Sequence, residues 1–169
     1  MPQAPVIRHE LGAEVVEVQA NDRGISAGAH CTVEPYLNGG MREFLAVPLD
    51  HIHTSSRLTF DQLVLVEPLS IGAHAVMRSG LAAGDHVLVI GAGPIGTAVT
   101  QLASAAGARV RVIETTPYRR ALVERLGVEA LVEADDRLAD VVIDATGNIA
   151  SMAQSFSRAR FGGRIVWVG

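Results

Sequence analysis

The sequence predicts an α/β protein organised around a doubly wound parallel sheet. From residue 85 onward, apolar strand segments alternate with helical segments, as in proteins whose helices connect parallel strands. A glycine-rich turn, GAGPIG at residues 91–96, stands between the first of these strands and the first helix. Residues 11–67 differ, because short strand segments separated by turns indicate a β-rich part.

The β-rich part has four predicted strands followed by a helical stretch. Turn-forming residues such as NDRG at 21–24 separate the strands. Apolar residues then recur at helical spacing from Phe60 until Gly80, which ends the pattern. The predicted strands are residues 11–19, 29–37, 41–48 and 50–53.

The second part of the chain follows a strand–helix order. Its first strand, HVLVIG at 86–91, is continuously apolar, which is typical of a parallel strand covered on both faces. A proline at its first position and a glycine at its end mark the helix at 94–107. The remaining strands are predicted at 108–114, 130–133, 139–147 and 163–169, and the remaining helices at 117–127 and 149–160.

Composition limits the classes of function that this chain can serve. Of its 169 residues, 49% are hydrophobic and 19% are charged, as in proteins with a packed core. All 14 basic residues are arginines, which excludes Schiff-base and Walker-type lysine chemistry. The net charge is −4 and the arginines are scattered, so we expect no nucleic-acid partner. No apolar run reaches the roughly 20 residues of a membrane span, and no signal-peptide pattern opens the chain, so we expect a cytoplasmic protein without a membrane partner.

The glycine turn has the G-x-G-x-x-G spacing of dinucleotide-binding proteins, in the strand–turn–helix context that this motif requires. Gly91 permits the tight turn, Gly93 lets a pyrophosphate approach the main chain, and Gly96 lets helix and strand pack closely. The helix that begins with Pro94 and Ile95 directs free N–H groups and its positive dipole end toward the phosphates. The context favours cofactor binding over the alternative, a glycine-rich turn without a ligand.

An acidic residue stands where dinucleotide-binding proteins contact the adenosine ribose. Glu114 ends the second strand, about 20 residues after the glycine motif. Its carboxylate can accept hydrogen bonds from ribose hydroxyls and repels a 2′-phosphate, so it predicts NAD rather than NADP. Arg119 is a further candidate cofactor residue, because an arginine near this position can bind a phosphate. A solvated helix face or packing against adenine is the alternative for Arg119 and Arg120.

Two residues at the end of the fourth predicted strand complete the predicted cofactor site. Thr146 and Gly147, in DATGN, end this parallel strand at the sheet edge where such ligands bind. Asp144, within the strand, is interpreted as a structural residue rather than a catalytic one.

Five segments in order, VIRHELGAEVVEV, VEPLSIGAHAV, VLVIGAGPIG, DVVIDATGN and GGRIVWVG, resemble the zinc-containing medium-chain alcohol dehydrogenases, above all the polyol and sugar branch. The resemblance extends from residue 6 to residue 169. That family combines a GroES-like catalytic domain with a Rossmann domain. The resemblance therefore implies a partial GroES-like β-barrel at residues 1–67 and an NAD-binding Rossmann domain, incomplete at its C-terminus, at residues 68–169.

The resemblance also implies a catalytic zinc site. His9 and Glu10 match the family's G-H-E motif, although Arg8 replaces its glycine, and Glu67 matches a later position on the entry helix. These three residues are the candidate metal-binding and catalytic residues. The family's cysteine ligand would precede residue 6, and its four-cysteine structural zinc lobe has no counterpart here. We therefore expect no structural zinc, and we interpret the single cysteine, Cys31, as a small core residue.

The sequence thus predicts an NAD-dependent, zinc-dependent dehydrogenase of a small alcohol or polyol, in a truncated form with impaired activity. Two alternatives stay open: a non-catalytic nucleotide-binding remnant, and a zinc-free quinone or enoyl reductase of the same superfamily. His9, Glu10 and Glu67 argue against the reductase, which needs no metal ligands. The fifth strand, GRIVWVG, would lie uncovered at the edge of the sheet, so we also expect self-association.

Overall fold

The computed structural model describes residues 9–34 and 39–168. The chain divides into two compact units, residues 1–67 and residues 68–169, which are described separately. None of the helices in the described part is both long and apolar enough to cross a membrane.

The first unit is built on a small antiparallel sheet. Its strands lie in the order β1 (Ala13–Glu14), β2 (His30–Val33) and β3 (Ile52–Thr54). Apolar side chains from the sheet and its loops form a small core that includes Cys31, which is 2% exposed. The interpretation of this cysteine as a core residue is therefore confirmed.

Two short helical segments follow in this unit. A 3₁₀ helix covers Leu49–His51, directly before β3, and α1 spans Phe60–Val64. A capping box fixes the start of α1, because the Thr59 hydroxyl accepts the N–H of Gln62 while the Gln62 side chain accepts the N–H of Thr59. These bonds satisfy main-chain donors that the first turn of a helix leaves unpaired.

The strands of the first unit are shorter than their sequence pattern predicts. The segment 11–19 forms a strand only at β1, and the predicted strand 29–37 continues into residues 35–38, which lie outside the described residues. The strand predicted at 41–48 is wrong, since this segment has no regular structure. Met41 and Phe44 are 65% and 67% exposed, whereas Leu45 and Val47 pack against the small core without forming a strand.

The second unit contains a five-stranded parallel sheet. Helix α2 (Val66–Ser79) leads into it. Its strands lie in the order β6-β5-β4-β7-β8, which confirms the predicted doubly wound fold. The strands are β4 (His86–Ile90), β5 (Arg109–Ile113), β6 (Glu129–Leu131), β7 (Ala139–Asp144) and β8 (Ala159–Trp167).

Helices cover both faces of this sheet, as continuous apolar strands require. Side chains such as Val87, Val89 and Val99, all 0% exposed, belong to one buried cluster, and Leu88 and Val142 belong to another. The helices are α3 (Pro94–Ala105), α4 (Pro117–Arg125) and α5 (Ile149–Ser155). The sheet therefore supplies a rigid platform whose carboxyl edge carries the loops after β4, β5 and β7.

Helix α5 is shorter than its predicted span of 149–160. The hydroxyls of Ser155 and Ser157 donate to the carbonyls of Met152 and Gln154, so these side chains bond to the last helical turn. The chain then enters β8 at Ala159, four residues before the predicted start of that strand.

The connection from β6 to β7 contains no helix. Residues 132–138, which we call the strap, link the two strands directly. Arg111, a buried residue of β5, donates to the carboxylate of Asp135 and to the carbonyl of Arg137, both in the strap. Arg137 in turn pairs with Glu129 and Asp135, and this hydrogen bonding by Arg137 is the main reason that the pKa of Asp135 lies well below its ordinary value. Four charged residues thus hold the strap against the sheet.

Candidate functional site

The glycine turn lies at the carboxyl end of β4, in the centre of the sheet. Gly91 has φ of 92°, a left-handed conformation that favours glycine, and its N–H donates to the carbonyl of Ile113 at 2.8 Å. At Gly96, a Cβ would lie 1.9 Å from the carbonyl oxygen of Gly91, so only glycine permits this approach of helix and turn. Two of the three glycines are therefore required by the protein's own packing.

Gly93 differs from the other two glycines of the motif. Its φ of −67° is accessible to any residue, and no atom would lie within 4 Å of a Cβ at this position. Neither strain nor packing within the described protein requires glycine here. The open space lies at the N-cap of α3, where Pro94 occupies the first helical turn and unpaired N–H groups favour an anion. The turn therefore fits a group that approaches the main chain from outside.

Glu114 lies beside the glycine turn and is 6% exposed. One carboxylate oxygen accepts the N–H of Ala92 at 2.8 Å and the other accepts the N–H of Thr116 at 2.7 Å. Burial raises the pKa of Glu114, but these N–H donors and Arg119 outweigh it, so the pKa lies below its ordinary value of 4.5. The arrangement keeps a carboxylate, with lone pairs still available, at the predicted ribose position.

The two arginines of α4 have different surroundings. Arg119 is half exposed, and its guanidinium lies 3.8 Å from the Glu114 carboxylate. Arg120 donates to the main-chain carbonyls of Glu114 and Thr115, at 2.9 Å and 2.6 Å, and so supports the loop after β5. Of the two, only Arg119 lines the cavity described below.

The loop after β7 forms the opposite side of the site. Thr146 donates its hydroxyl to Asp144 at 2.6 Å, and Gly147 follows with φ of 63°. Asn148 caps α5 by accepting the N–H groups of Ala150 and Ser151. Because β4 and β7 are parallel neighbours, the loop after β7 lies at the same edge of the sheet as the glycine turn.

A cavity of about 710 Å³ opens between these loops. Five of the predicted cofactor residues line it, namely Gly91, Gly93, Glu114, Arg119 and Thr146. Pro94, Ile95, Gly96 and Gly147 do not line it: Gly96 packs against the turn and Ile95 packs on the sheet core. The cavity is large enough for the adenosine part of a dinucleotide.

Several cavity residues are absent from the sequence-based prediction. Some lie on α5 and its end, and others lie in the strap. They include Ser151, Gln154, Arg158, Val132 and Glu133. Only the sheet order offers a signal for them, because α5 begins at the carboxyl edge of a strand that lies beside β4.

The predicted metal residues are only partly brought together. His9 Nε2 lies 3.4 Å from Glu67 Oε1, and Glu10 follows His9 as a half-buried residue. Arg8, the departure from the family motif, lies outside the described residues. Over residues 9–34 and 39–168, no group of three or more His, Cys, Asp or Glu side chains is placed to hold a metal ion. A catalytic zinc normally has three protein ligands, so the described donors do not fit that site.

The sheet order, the glycine turn and the cavity at its edge define a protein of the Rossmann class. A family model for zinc-binding dehydrogenases matches residues 94–169. L-galactonate-5-dehydrogenase of Escherichia coli (strain K12) is 32% identical over 203 residues, covering 97% of this chain and 60% of the relative. The chain belongs to the zinc-type medium-chain alcohol dehydrogenase family. Because the alignment is longer than the chain, the relative contains internal segments without a counterpart here.

Solved structures agree with this assignment. The 2R,3R-butanediol dehydrogenase of Bacillus subtilis has a TM-score of 0.80 at 28% identity, covering 96% of this chain and 57% of that one. A zinc-binding dehydrogenase of Sinorhizobium meliloti 1021, solved with NADP bound, has a TM-score of 0.83 at 28% identity, covering all of this chain and 63% of that one. The chain thus spans about three fifths of the length of these relatives.

Proposed function

We propose that the second unit binds NAD and serves a dehydrogenase that oxidises an alcohol or polyol. Gly93 is the observation that carries this proposal. Nothing in the described protein requires a glycine there, whereas a dinucleotide pyrophosphate needs the space that a Cβ would fill. The N-terminus of α3 would then donate to the phosphates, while the open β5 side of the cavity would receive the ribose.

Glu114 favours NAD over NADP. A carboxylate that already accepts two main-chain N–H groups stays ionised and would repel a 2′-phosphate, while it can still accept hydrogen bonds from ribose hydroxyls. The half-exposed Arg119 is too close to Glu114 to leave its charge fully available to a phosphate. The S. meliloti neighbour was solved with NADP, so this choice has to be tested on the chain itself.

Calorimetric titration of the purified chain with NAD and with NADP tests the cofactor. We expect measurable NAD binding and at least tenfold weaker NADP binding, a difference of about 1.4 kcal/mol. Gly93→Val should abolish NAD binding while the circular dichroism spectrum stays that of the parent. NADP binding equal to or tighter than NAD binding would contradict the choice of cofactor, and normal NAD binding by Gly93→Val would contradict the placement of the phosphates.

The cofactor would supply the chemistry of the reaction, and residues of this chain would hold the cofactor in position. When bound, NAD would supply the hydride acceptor for oxidation of a carbinol carbon. The glycine turn and Glu114 would fix the adenosine half, which sets where the nicotinamide ring can lie. A polyol panel that includes sorbitol, 2R,3R-butanediol and L-galactonate tests the substrate class by NAD reduction. A cytoplasmic location belongs to the same proposal, because NAD is an intracellular cofactor.

A second candidate function is nucleotide binding without catalysis. The observation that favours it is the zinc donor set, in which only His9 and Glu67 come together among the described residues. The same proximity of a histidine and a carboxylate argues against a zinc-free reductase. Metal content of the purified chain, combined with the polyol assay, separates the two. We expect weak or absent NAD reduction by this chain. Robust NAD reduction that is lost on chelation and restored by zinc would contradict this expectation and the second candidate function.

A further inference from the structure

Asp144 is a fully buried carboxylate at the end of β7 that the cofactor proposal leaves without a role. Three donors converge on it. The N–H and the hydroxyl of Thr146 donate to one oxygen, at 2.9 Å and 2.6 Å, and the hydroxyl of Ser151 donates to the other. Both hydroxyls belong to residues that line the cavity. Asp144 therefore lies beneath the cavity surface and orients the hydroxyls of Thr146 and Ser151.

These bonds decide which hydrogen-bonding groups the wall offers. A hydroxyl has one proton and two lone pairs, so a hydroxyl that donates to Asp144 presents only lone pairs elsewhere. Thr146 also accepts the N–H of Asn148 at 3.1 Å, which occupies much of its remaining capacity. No described group donates to the Ser151 hydroxyl, so its oxygen is an open acceptor of this wall.

We infer that Asp144 makes Ser151 a hydrogen-bond acceptor that selects the 6-amino edge of adenine. This inference rests on the proposed function and deepens it. Glu114 would take the ribose on the β5 side of the cavity, and the attached base would then extend toward the opposite side, which residues of α5 and of the loop after β7 line. The 6-amino group is the hydrogen-bond donor on the edge of adenine. The Ser151 oxygen, which can only accept, fits this donor and disfavours bases with a carbonyl there.

The carboxylate of Asp144 favours a neutral donor beside Ser151 and Thr146, while Arg158 lines the cavity beyond the end of α5. A phosphate or carboxylate would meet the lone pairs of Ser151 and Thr146, with the buried negative charge of Asp144 behind them. Both interactions are repulsive in a partly desolvated cavity. The anionic parts of the cofactor are therefore directed to the glycine turn and Arg119.

Asp144→Asn is a test that keeps the size of the side chain. The amide oxygen can still accept both Thr146 donors, while the amide NH₂ must donate to Ser151, whose proton then turns into the cavity. The probes are NAD and deamino-NAD, in which a carbonyl acceptor replaces the 6-amino donor. We expect the parent to bind NAD at least about fivefold more tightly, the worth of one net hydrogen bond. In Asp144→Asn the ratio of the two affinities should fall by a similar factor or reverse.

Two variants serve as controls, and Ser151→Ala also tests the inference if Asp144→Asn fails to fold. Ser151→Ala removes the acceptor and should abolish the discrimination between the two dinucleotides without reversing it. Deamino-NAD also differs from NAD at N1. Only the part of the affinity ratio that is lost in Ser151→Ala is therefore assigned to the Ser151 hydroxyl. Ser157→Ala removes an exposed hydroxyl outside the cavity and should leave the ratio unchanged. The NAD to NADP ratio should also stay unchanged in Asp144→Asn, because the 2′-phosphate is discriminated at Glu114.

The outcomes separate this inference from the proposed function. A folded Asp144→Asn that weakens both dinucleotides by the same factor would show that Asp144 only supports the loop, and would overturn the inference alone. So would unchanged discrimination in Ser151→Ala. A parent chain that binds neither dinucleotide overturns the proposed function and the inference with it.

Discussion

The main-chain N–H of Ala92 donates a hydrogen bond of 2.8 Å to the carboxylate of Glu114. Ala92 lies inside the glycine turn, and Glu114 follows the neighbouring strand of the sheet. Since the second oxygen of Glu114 accepts the N–H of Thr116, one buried side chain joins the turn to the loop after β5. The residue at the predicted ribose position therefore also fixes the shape of the glycine turn.

Glu114→Gln should destabilise the protein as well as weaken NAD binding. Two main-chain N–H groups point at different oxygens of Glu114, so the NH₂ group of glutamine would face one donor and leave it unsatisfied. A buried unsatisfied donor costs about 1–3 kcal/mol. Urea unfolding measures the loss, with Glu133→Gln, an exposed carboxylate on the same cavity, as control. A Glu114→Gln protein as stable as the control would show that the turn does not depend on this carboxylate.

The lowered pKa of Glu114 predicts how stability changes with acid. A carboxyl whose pKa is lower folded than unfolded contributes stability that is fully present above the unfolded value, near 4.5, and is lost as the pH falls through the folded value. Asp85, Glu129 and Asp135 have lowered pKa values and act in the same direction. We expect the unfolding free energy to fall below about pH 4.5, with a shallower decline in Glu114→Gln. Equal slopes in parent and variant would contradict this assignment.

The glycines of the turn provide a matched pair of substitutions. Gly96→Ala places a Cβ 1.9 Å from the carbonyl of Gly91, so helix and turn must separate, whereas a Cβ at Gly93 meets nothing within 4 Å. We expect Gly96→Ala to cost roughly 1–3 kcal/mol or more of stability, as in overpacked sites. Gly93→Ala should unfold like the parent in urea but bind NAD more weakly. A stable Gly96→Ala, or a destabilised Gly93→Ala, would reverse these roles.

The sequence predicts the sheet, the glycine turn and Glu114 because their signals are local. Continuous apolar strands, a fixed glycine spacing and an acidic residue at the end of the next strand are each visible within about 30 residues. The first unit is predicted less well. Its apolar residues at 41–48 have the composition of a strand, but Met41 and Phe44 remain exposed, so tertiary contacts rather than pattern decide the outcome.

The β7 side of the cavity depends on contacts that the sequence alone does not display. Ser151 lines the cavity from α5, and its hydroxyl donates to Asp144, seven residues earlier in the chain. The strap is held against the sheet partly by Arg111, a residue of β5 that binds Asp135. Side-chain hydrogen bonds between separate elements leave no periodic pattern in the sequence. No local pattern therefore predicts that these residues line the cavity.

Arg111→Met should loosen the strap. Arg111 is 7% exposed, and its loss removes the bonds to Asp135 and to the Arg137 carbonyl, although Arg137 still pairs with Asp135. Because Asp135 keeps this second partner, we expect a loss of about 1–3 kcal/mol rather than the larger cost of an isolated buried charge. Amide hydrogen exchange should also quicken in the strap. Arg125→Gln, an exposed arginine at the end of α4, is the control, and equal exchange in both variants would contradict the role of Arg111.

The exposed edge of the sheet leads to a prediction about association. In the described sheet, β8 pairs only with β7, so its other side presents main-chain N–H and C=O groups. Phe161 and Trp167 of this strand are 104% and 50% exposed. We propose that the 169-residue chain self-associates by pairing of β8 with another copy. Sedimentation velocity at micromolar concentrations should then show a concentration-dependent increase in mass.

Phe161→Lys tests whether β8 is the contact. A lysine at an edge strand opposes pairing, and Phe161 is so exposed that its replacement should leave the core intact. Val166→Lys is a harsher variant, because Val166 packs against the core cluster and its loss also lowers stability. The matched control is Tyr118→Lys, an aromatic residue on α4 that is 74% exposed. We expect severalfold weaker association in Phe161→Lys and none of this change in Tyr118→Lys. A parent chain that stays monomeric at every concentration, or equal weakening by both lysines, would show that β8 does not form the contact.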